Sequence, residues 1–229
     1  MNKIGIIFAM KEELDELLNI VDLIEEINIY DLTIYKCILN NKELYLVESG
    51  IGKVNAARTT QILIDNINPD YIFNIGVAGS VNNNVNVLDI VIAESLVQHD
   101  FDITSFNHEK GYIPNVGVYI NTDKYLLDKC SNPNINTNKH LGVIASGDIF
   151  CQDKKMSNKI GTKFNALAVE MEGASIAQVC HLCNTPFIVI RSISDSPNSN
   201  ENNTITYEEF LSKSCKLVTG YIKDILESM

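Results

Sequence analysis

The stretch from Lys3 to Phe8 is short and largely apolar, and it ends at Ala9-Met10. From Lys11 onward the spacing changes, with Leu14, Leu17, Leu18 and Val21 recurring at helical intervals. The pattern predicts a strand feeding a helix. Ile27 to Leu39 and Glu43 to Val47 are β-rich, and Asn40-Asn41 between them predicts a hairpin, so the sheet is expected to be mixed. Ser49-Gly50-Ile51-Gly52 then punctuates the chain ahead of a second helix whose apolar stripe is Val54, Ala57, Ile64 and Ile67.

Tyr71 to Ile75 reads as a buried strand running into a glycine turn, Gly76-Val77-Ala78-Gly79. Leu88 to Val97, Leu141 to Ala145 and Ala166 to Glu170 read as further strands, and Pro186 to Ile193 as one buried on both faces. Tyr125 to Cys130, Met171 to Cys183 and Tyr207 to Met229 carry helical patterns. Asn82 to Asn86 and Ser196 to Thr206 are polar stretches, and the second is expected to be a mobile loop. Alternating strands and helices with one meander predict a three-layer α/β fold, a central mixed β-sheet flanked by helices, built as a single domain over residues 1–229.

Ligands in such folds sit where strands end at their carboxyl edges. That rule selects Glu13, the Gly76 turn, Phe150, Glu170 with Glu172, and Arg191 with Asp195. Composition narrows the chemistry. A formal charge of −11 opposes binding to nucleic acid, which needs clustered cations to displace counterions. Arg58 and Arg191 are the only arginines, so an arginine cluster clamping phosphate is not available within one chain.

The start of the chain meets Lys11-Glu12-Glu13 too soon for a signal peptide or a membrane span, and a cytoplasmic location is expected. Six scattered cysteines are expected to be reduced thiols. Cys180-His181-Leu182-Cys183 reads as packed thiols in a helix, and the four histidines have no ligand spacing. No metal and no cofactor is expected.

Asp195 ends an otherwise apolar strand, where burial would raise its pKa and keep a transferable proton near neutral pH. Arg191 shares its parity and would face the same side of an extended strand, so an internal ion pair is the alternative. Glu170 and Glu172 flank a strand-to-helix junction, placed either to grip sugar hydroxyls or simply to complement the helix dipole. Phe150 follows a turn and could stack on a flat base or pack in the core. Gly50-Ile51-Gly52-Lys53 satisfies neither the P-loop nor the dinucleotide fingerprint.

Seven segments in order jointly resemble the 5'-methylthioadenosine/S-adenosylhomocysteine nucleosidases, within the purine nucleoside phosphorylase-like fold. They are Ile4-Gly5-Ile6-Ile7 with Ala9-Met10-Lys11-Glu12-Glu13, Glu48 to Ala57, Asn74-Ile75-Gly76-Val77-Ala78-Gly79, His99-Asp100-Phe101-Asp102, Ser146-Gly147-Asp148, Ala168 to Glu172, and Arg191 to Asp195. The resemblance implies hydrolysis of the bond between adenine and ribose through an oxocarbenium-like transition state. It implies Asp195 as the acid protonating adenine N7, Glu13 as the base activating water, and Arg191 as an aid in holding that water. Glu172 would grip the ribose hydroxyls and Phe150 would stack on adenine.

The resemblance also implies that Cys151 lies where backbone groups read the base edge, and that Met171, Ile51 and Ser194 complete the substrate contacts. Val77 stands where some members carry a serine that contacts the water. It further implies a homodimer in which Ile103, Phe106 and Pro114 cover the partner's 5'-pocket. A phosphorylase of the same fold would bring an arginine to the first strand-to-helix loop, where this chain has Lys11, Glu12 and Glu13. Futalosine-type hydrolases and a non-catalytic binding protein are the other readings.

Overall fold

The structure, a computed structural model, describes residues 2–132, 137–196 and 203–229, with the backbone alone for 203–206. Strand β1 (Lys3–Phe8) runs into helix α1 (Lys11–Leu18), and β2 (Asp22–Ile29), β3 (Leu32–Leu39) and β4 (Lys42–Glu48) form a meander. Helix α2 (Lys53–Ile67) and β5 (Tyr71–Ser80) follow, then β6 (Ile90–Gln98), the two-residue β7 (Ile120–Asn121), α3 (Lys124–Ser131) and β8 (Lys139–Ser146). The last elements are α4 (Lys154–Phe164), β9 (Ala166–Glu170), α5 (Gly173–Cys183), β10 (Phe187–Asp195) and α6 (Asn203–Ser228).

The sheet is mixed, in the order β10-β6-β8-β9-β5-β1-β4-β3-β2, and β10 pairs with β5 as well. Five strands therefore close into a small barrel, from which β1, β4, β3 and β2 extend as a wing. β10 covers one edge of β5 from Ile72 to Gly79. Along the other edge β1 stops at Asn74 and β9 begins at Gly79, so Ile75–Ala78 lies in a gap between two strands. That gap is where the site forms.

Helices cover both faces. Leu63 and Ile67 of α2 and Ile176 and Ala177 of α5 pack on one side; Leu14 and Leu17 of α1 and Tyr221, Ile222 and Ile225 of α6 pack on the other. Each fully buried Ile or Leu contributes about 1.5–3 kcal/mol, so these two layers hold the sheet that carries the candidate site. Among the described residues no helix is long and apolar enough to cross a membrane.

Several sequence expectations change in detail. The β-rich stretch from Ile27 to Leu39 divides into two strands, because Tyr30 takes a left-handed φ of 56° and turns the chain. Most of β2 is exposed on both faces, so its residues Asp22 to Glu26 carry no apolar alternation to reveal it. The expected glycine turn is instead the last part of β5, and its glycines are there for close approach, as the site makes clear.

Helix α5 begins at Gly173 rather than Met171, and α6 begins at Asn203 rather than Tyr207. Residues 197–202 of the loop expected before α6 lie outside the described residues. Helix α4 was not anticipated, although Asp153 caps it and Ile160 and Phe164 are buried on one face.

Candidate active site

Glu13 is the third residue of α1, and its carboxylate turns back toward the sheet. Oε2 accepts the N–H groups of Ala9 (3.0 Å) and Met10 (3.2 Å), and Oε1 accepts that of Val77 at 2.9 Å. Val77 lies in the gap left on β5, so the carboxylate takes an amide no strand pairs. Burial raises the pKa of Glu13, against the opposing pull of Arg191 and those three N–H groups.

Asp195 ends β10 with its side chain 3% exposed, and Ser194 Oγ donates to its Oδ1 at 2.9 Å. Burial pushes its carboxyl up to about 6, with the Ser194 hydroxyl opposing. Glu172 stands just before α5 and accepts the Gly52 N–H at 2.8 Å through Oε1. Burial and then the charge of Glu170 push it up to about 7, against the Gly52 N–H and Arg191.

The three carboxyl groups line one cavity of about 320 Å³. Ile51, Val77, Phe150, Met171 and Ser194 share its wall, as do Met10, Gly79, Glu170 and Tyr207. Cys151 instead lines a small side recess that it shares with Phe150, Met171 and Asp195. The Phe150 ring meets that of Tyr207 edge-on, with centroids 5.8 Å apart, and Tyr207 Oη donates to Met10 Sδ at 3.3 Å. An aromatic corner therefore bridges α6 and the β1–α1 junction across the mouth.

Arg191 does not line the cavity. The strand register shifts between Ile193 and Asp195, so the equal parity of Arg191 and Asp195 does not place them on one face. The guanidinium lies buried beneath the site, donating to the Asn74 and Ile190 carbonyls, to Asn74 Oδ1 and to Glu170 Oε2. Glu170 also accepts from Ser146 Oγ and from the N–H groups of Glu172 and Gly173, which caps α5. The one buried arginine is thus hydrogen-bonded to Glu170, and burial outweighs its pull on Glu13 and Glu172.

Ile103, Phe106 and Pro114 lie outside this cavity, in the segment after β6, and Phe106 is 75% exposed. Sequence reasoning missed Tyr207, Met10 and the pairing of Glu170 with Arg191. No local signal marks Tyr207, which looks like any polar-faced position early in an amphipathic helix. Among the described residues no three His, Cys, Asp or Glu side chains converge as a metal site.

A barrel-closing mixed sheet with three buried carboxyls gathered around one cavity defines the class. The family model of the phosphorylase superfamily matches residues 3–227. A Staphylococcus aureus 5'-methylthioadenosine/S-adenosylhomocysteine nucleosidase is 40% identical over 213 residues, 92% of each chain. The crystal structure of the Helicobacter pylori nucleosidase of that name with butyl-thio-DADMe-Immucillin-A superposes with a TM-score of 0.94 at 35% identity, covering 100% of this chain and 99% of that one. A structure named as a futalosine hydrolase mutant from the same organism gives a TM-score of 0.94 and 35% identity over 100% of both chains. The chain belongs to the 5'-methylthioadenosine/S-adenosylhomocysteine nucleosidase family of the phosphorylase superfamily.

Proposed function

We propose that this protein hydrolyses the N-glycosidic bond of 5'-methylthioadenosine and S-adenosylhomocysteine, releasing adenine and the 5-thioribose product. The observation that carries this reading is the convergence of Glu13, Glu172 and Asp195 on one cavity, with all three carboxyl pKa values raised.

In this reading Asp195 gives its proton to N7 of the purine, which leaves with the electrons of the C1'–N9 bond. Glu13 takes a proton from the water that attacks C1' from the opposite face. An acid and a water-bearing carboxylate on opposite sides is the inverting arrangement for glycoside cleavage. Positive charge develops on the sugar, so Glu172 and Glu13 attract the transition state more strongly than the substrate. Phe150 supplies a stacking face for adenine, and Gly52 occupies one oxygen of Glu172 while the other meets the ribose hydroxyls. Met171, Ile51, Val77 and Ser194 shape the remaining wall, and Arg191 acts on Glu13 through its field rather than by direct contact with water.

Water is favoured over phosphate as nucleophile because neither arginine is available to an anion. Arg191 is paired with Glu170, and Arg58 pairs with Asp31 away from the cavity. A phosphate beside Glu13 would be repelled.

The test is to incubate the purified protein with 5'-methylthioadenosine, with and without phosphate, and identify the sugar. Free methylthioribose formed equally in both is the expected result; a sugar 1-phosphate and a strict phosphate requirement would reject hydrolysis. The likeness to the chain named a futalosine hydrolase makes a futalosine-type substrate the second arm of the same assay.

A homodimer belongs to this reading, with Ile103, Phe106 and Pro114 of each chain covering the partner's 5'-pocket. Its support is the exposure of Phe106, of Val54 at 78% and of Ile51 at 53%, the last on the cavity wall. Light scattering that finds a fully active monomer would reject it. A cytoplasmic site of action is part of the same reading, supported by six cysteines none of which is in a disulfide.

A further inference from the structure

Helix α2 begins without a side chain of its own to cap it. Its N-cap is Gly52, at φ 100°, and the preceding turn holds a second left-handed glycine, Gly50 at φ 80°. Two amides at this helix start are taken by carboxylates from distant elements. Gly52 N–H goes to Glu172, and the next one, Lys53 N–H, goes to Asp148 Oδ1 at 2.8 Å.

Asp148 is itself held. Its backbone N–H donates to Asp100 Oδ2 at 3.0 Å, and Asp100 Oδ1 receives the Lys53 ammonium at 2.7 Å. The three residues form a closed ring: Lys53 amide to Asp148, Asp148 amide to Asp100, Asp100 back to the Lys53 side chain. Gln98 Oε1 takes a second Lys53 donor at 3.1 Å. Burial works to raise the Asp100 carboxyl, but Lys53 and the Asp148 N–H outweigh it and hold the group below its ordinary value. Asp100 is therefore ionised at neutral pH.

We propose that Asp148 is a positioning residue for Glu172, acting with Lys53 and Asp100 to fix the first turn of α2 so that the Gly52 amide meets the Glu172 carboxylate. The proposal rests on the ribose role assigned to Glu172 above. A glycine turn has no side chain to limit its freedom, and a misdirected Gly52 N–H would leave Glu172 facing Glu170, Glu13 and Arg191 without its one backbone donor. The ring also sits between two wall residues, since Ile51 lies two positions before Lys53 and Phe150 two positions after Asp148.

The test compares Asp148→Ala, Asp148→Asn, Glu172→Gln and the Asp148→Ala/Glu172→Gln pair, all in the Asp195→Asn background so that 5'-methylthioadenosine binding is read without turnover. Asp148→Ala is expected to weaken 5'-methylthioadenosine about tenfold, the scale of one lost hydrogen bond to a charged group, and to leave free adenine unchanged. Asp148→Asn, which keeps an acceptor for the Lys53 amide, should restore most of the loss. In the Glu172→Gln background Asp148→Ala should add no riboside-selective loss, because the two act in series.

With Asp195 intact, Asp148→Ala should lower the maximum of kcat/KM and move its alkaline limb to higher pH, since the Gly52 N–H lowers the pKa of Glu172, which titrates above Asp195. Equal losses for riboside and adenine, or an unshifted limb, would overturn the proposal. Selective riboside loss in Glu172→Gln with none in Asp148→Ala overturns the proposal alone. No selective loss in Glu172→Gln removes the ribose reading and the proposal with it. If Asp148→Ala does not fold, Lys53→Met breaks the same ring, and a wild-type riboside-to-adenine ratio there overturns the proposal.

Discussion

A β-carbon on Gly76 would stand 2.4 Å from Glu13 Oε1. The carboxylate occupies the space a side chain would take, which explains why β5 carries a glycine at the gap between β1 and β9. Gly76→Ala must therefore push Glu13 off the Val77 amide. We expect kcat to fall by about 100-fold or more, the cost of misplacing a reacting group, with free adenine binding retained. Wild-type kcat in Gly76→Ala would show that Glu13 does not need this seat.

Asp195 lies against Gly79 in the same manner, with a β-carbon there only 2.7 Å from its Oδ2. Asp195→Asn keeps the shape and removes the transferable proton. Turnover should be lost while 5'-methylthioadenosine binding stays measurable by calorimetry. Turnover at the wild-type rate would exclude Asp195 as the acid.

Glu172→Gln should weaken ribosides far more than free adenine, and it should also stabilise the fold. Burial raises this carboxyl from 4.5 to about 7, so the folded chain holds the proton more tightly than the unfolded one between those values. The contribution to stability is therefore full at low pH, is lost as pH rises through about 7, and does not recover above it. Removing the charge should recover on the order of 3 kcal/mol at about pH 8. Thermal unfolding that shows a lower Tm for Glu172→Gln would contradict this sign.

The pH profile of kcat/KM follows from the same groups. Asp195, pushed up to about 6, must be protonated, and Glu172, pushed up to about 7, must be ionised. Asp195 thus titrates below Glu172, the productive form is a minority species, and the profile should be a narrow bell with its maximum between the two values. A rate that stays flat up to about pH 9 would remove Asp195 as proton donor in the free enzyme.

Arg191 and Glu170 form a buried pair, and cutting it on one side leaves an uncompensated charge. Arg191→Met should cost about 3–5 kcal/mol in urea unfolding, and adding Glu170→Gln should return part of it. An Arg191→Met protein as stable as the wild type would mean that Glu170 finds another partner.

Much of the candidate site was legible in the primary structure because it sets charge where the apolar pattern would forbid it. Asp195 at the end of a buried strand and Glu172 at a strand-to-helix junction stand out for that reason, and the matched segments place Glu13 beside them. What stayed hidden depends on distant contacts. The gap on β5 arises because β1 and β9 share one edge, and no property of Tyr71 to Ser80 announces it. The glycines there look like a turn until the carboxylates seated on them are seen. Tyr207 meets Phe150 edge-on from α6, a contact between distant elements that no local pattern marks.

Most of the order of strands and helices, the mixed α/β class and the family itself were legible in the sequence, since periodicity and motif spacing are local properties of a chain. The tertiary structure decided which groups meet. Glu13 finds its amide across 64 residues, Arg191 finds Asn74 across 117, and Glu172 finds Gly52 across 120. Burial and neighbouring charge set the proton affinities on which the proposed chemistry depends, and both exist only once those separations have been closed by folding.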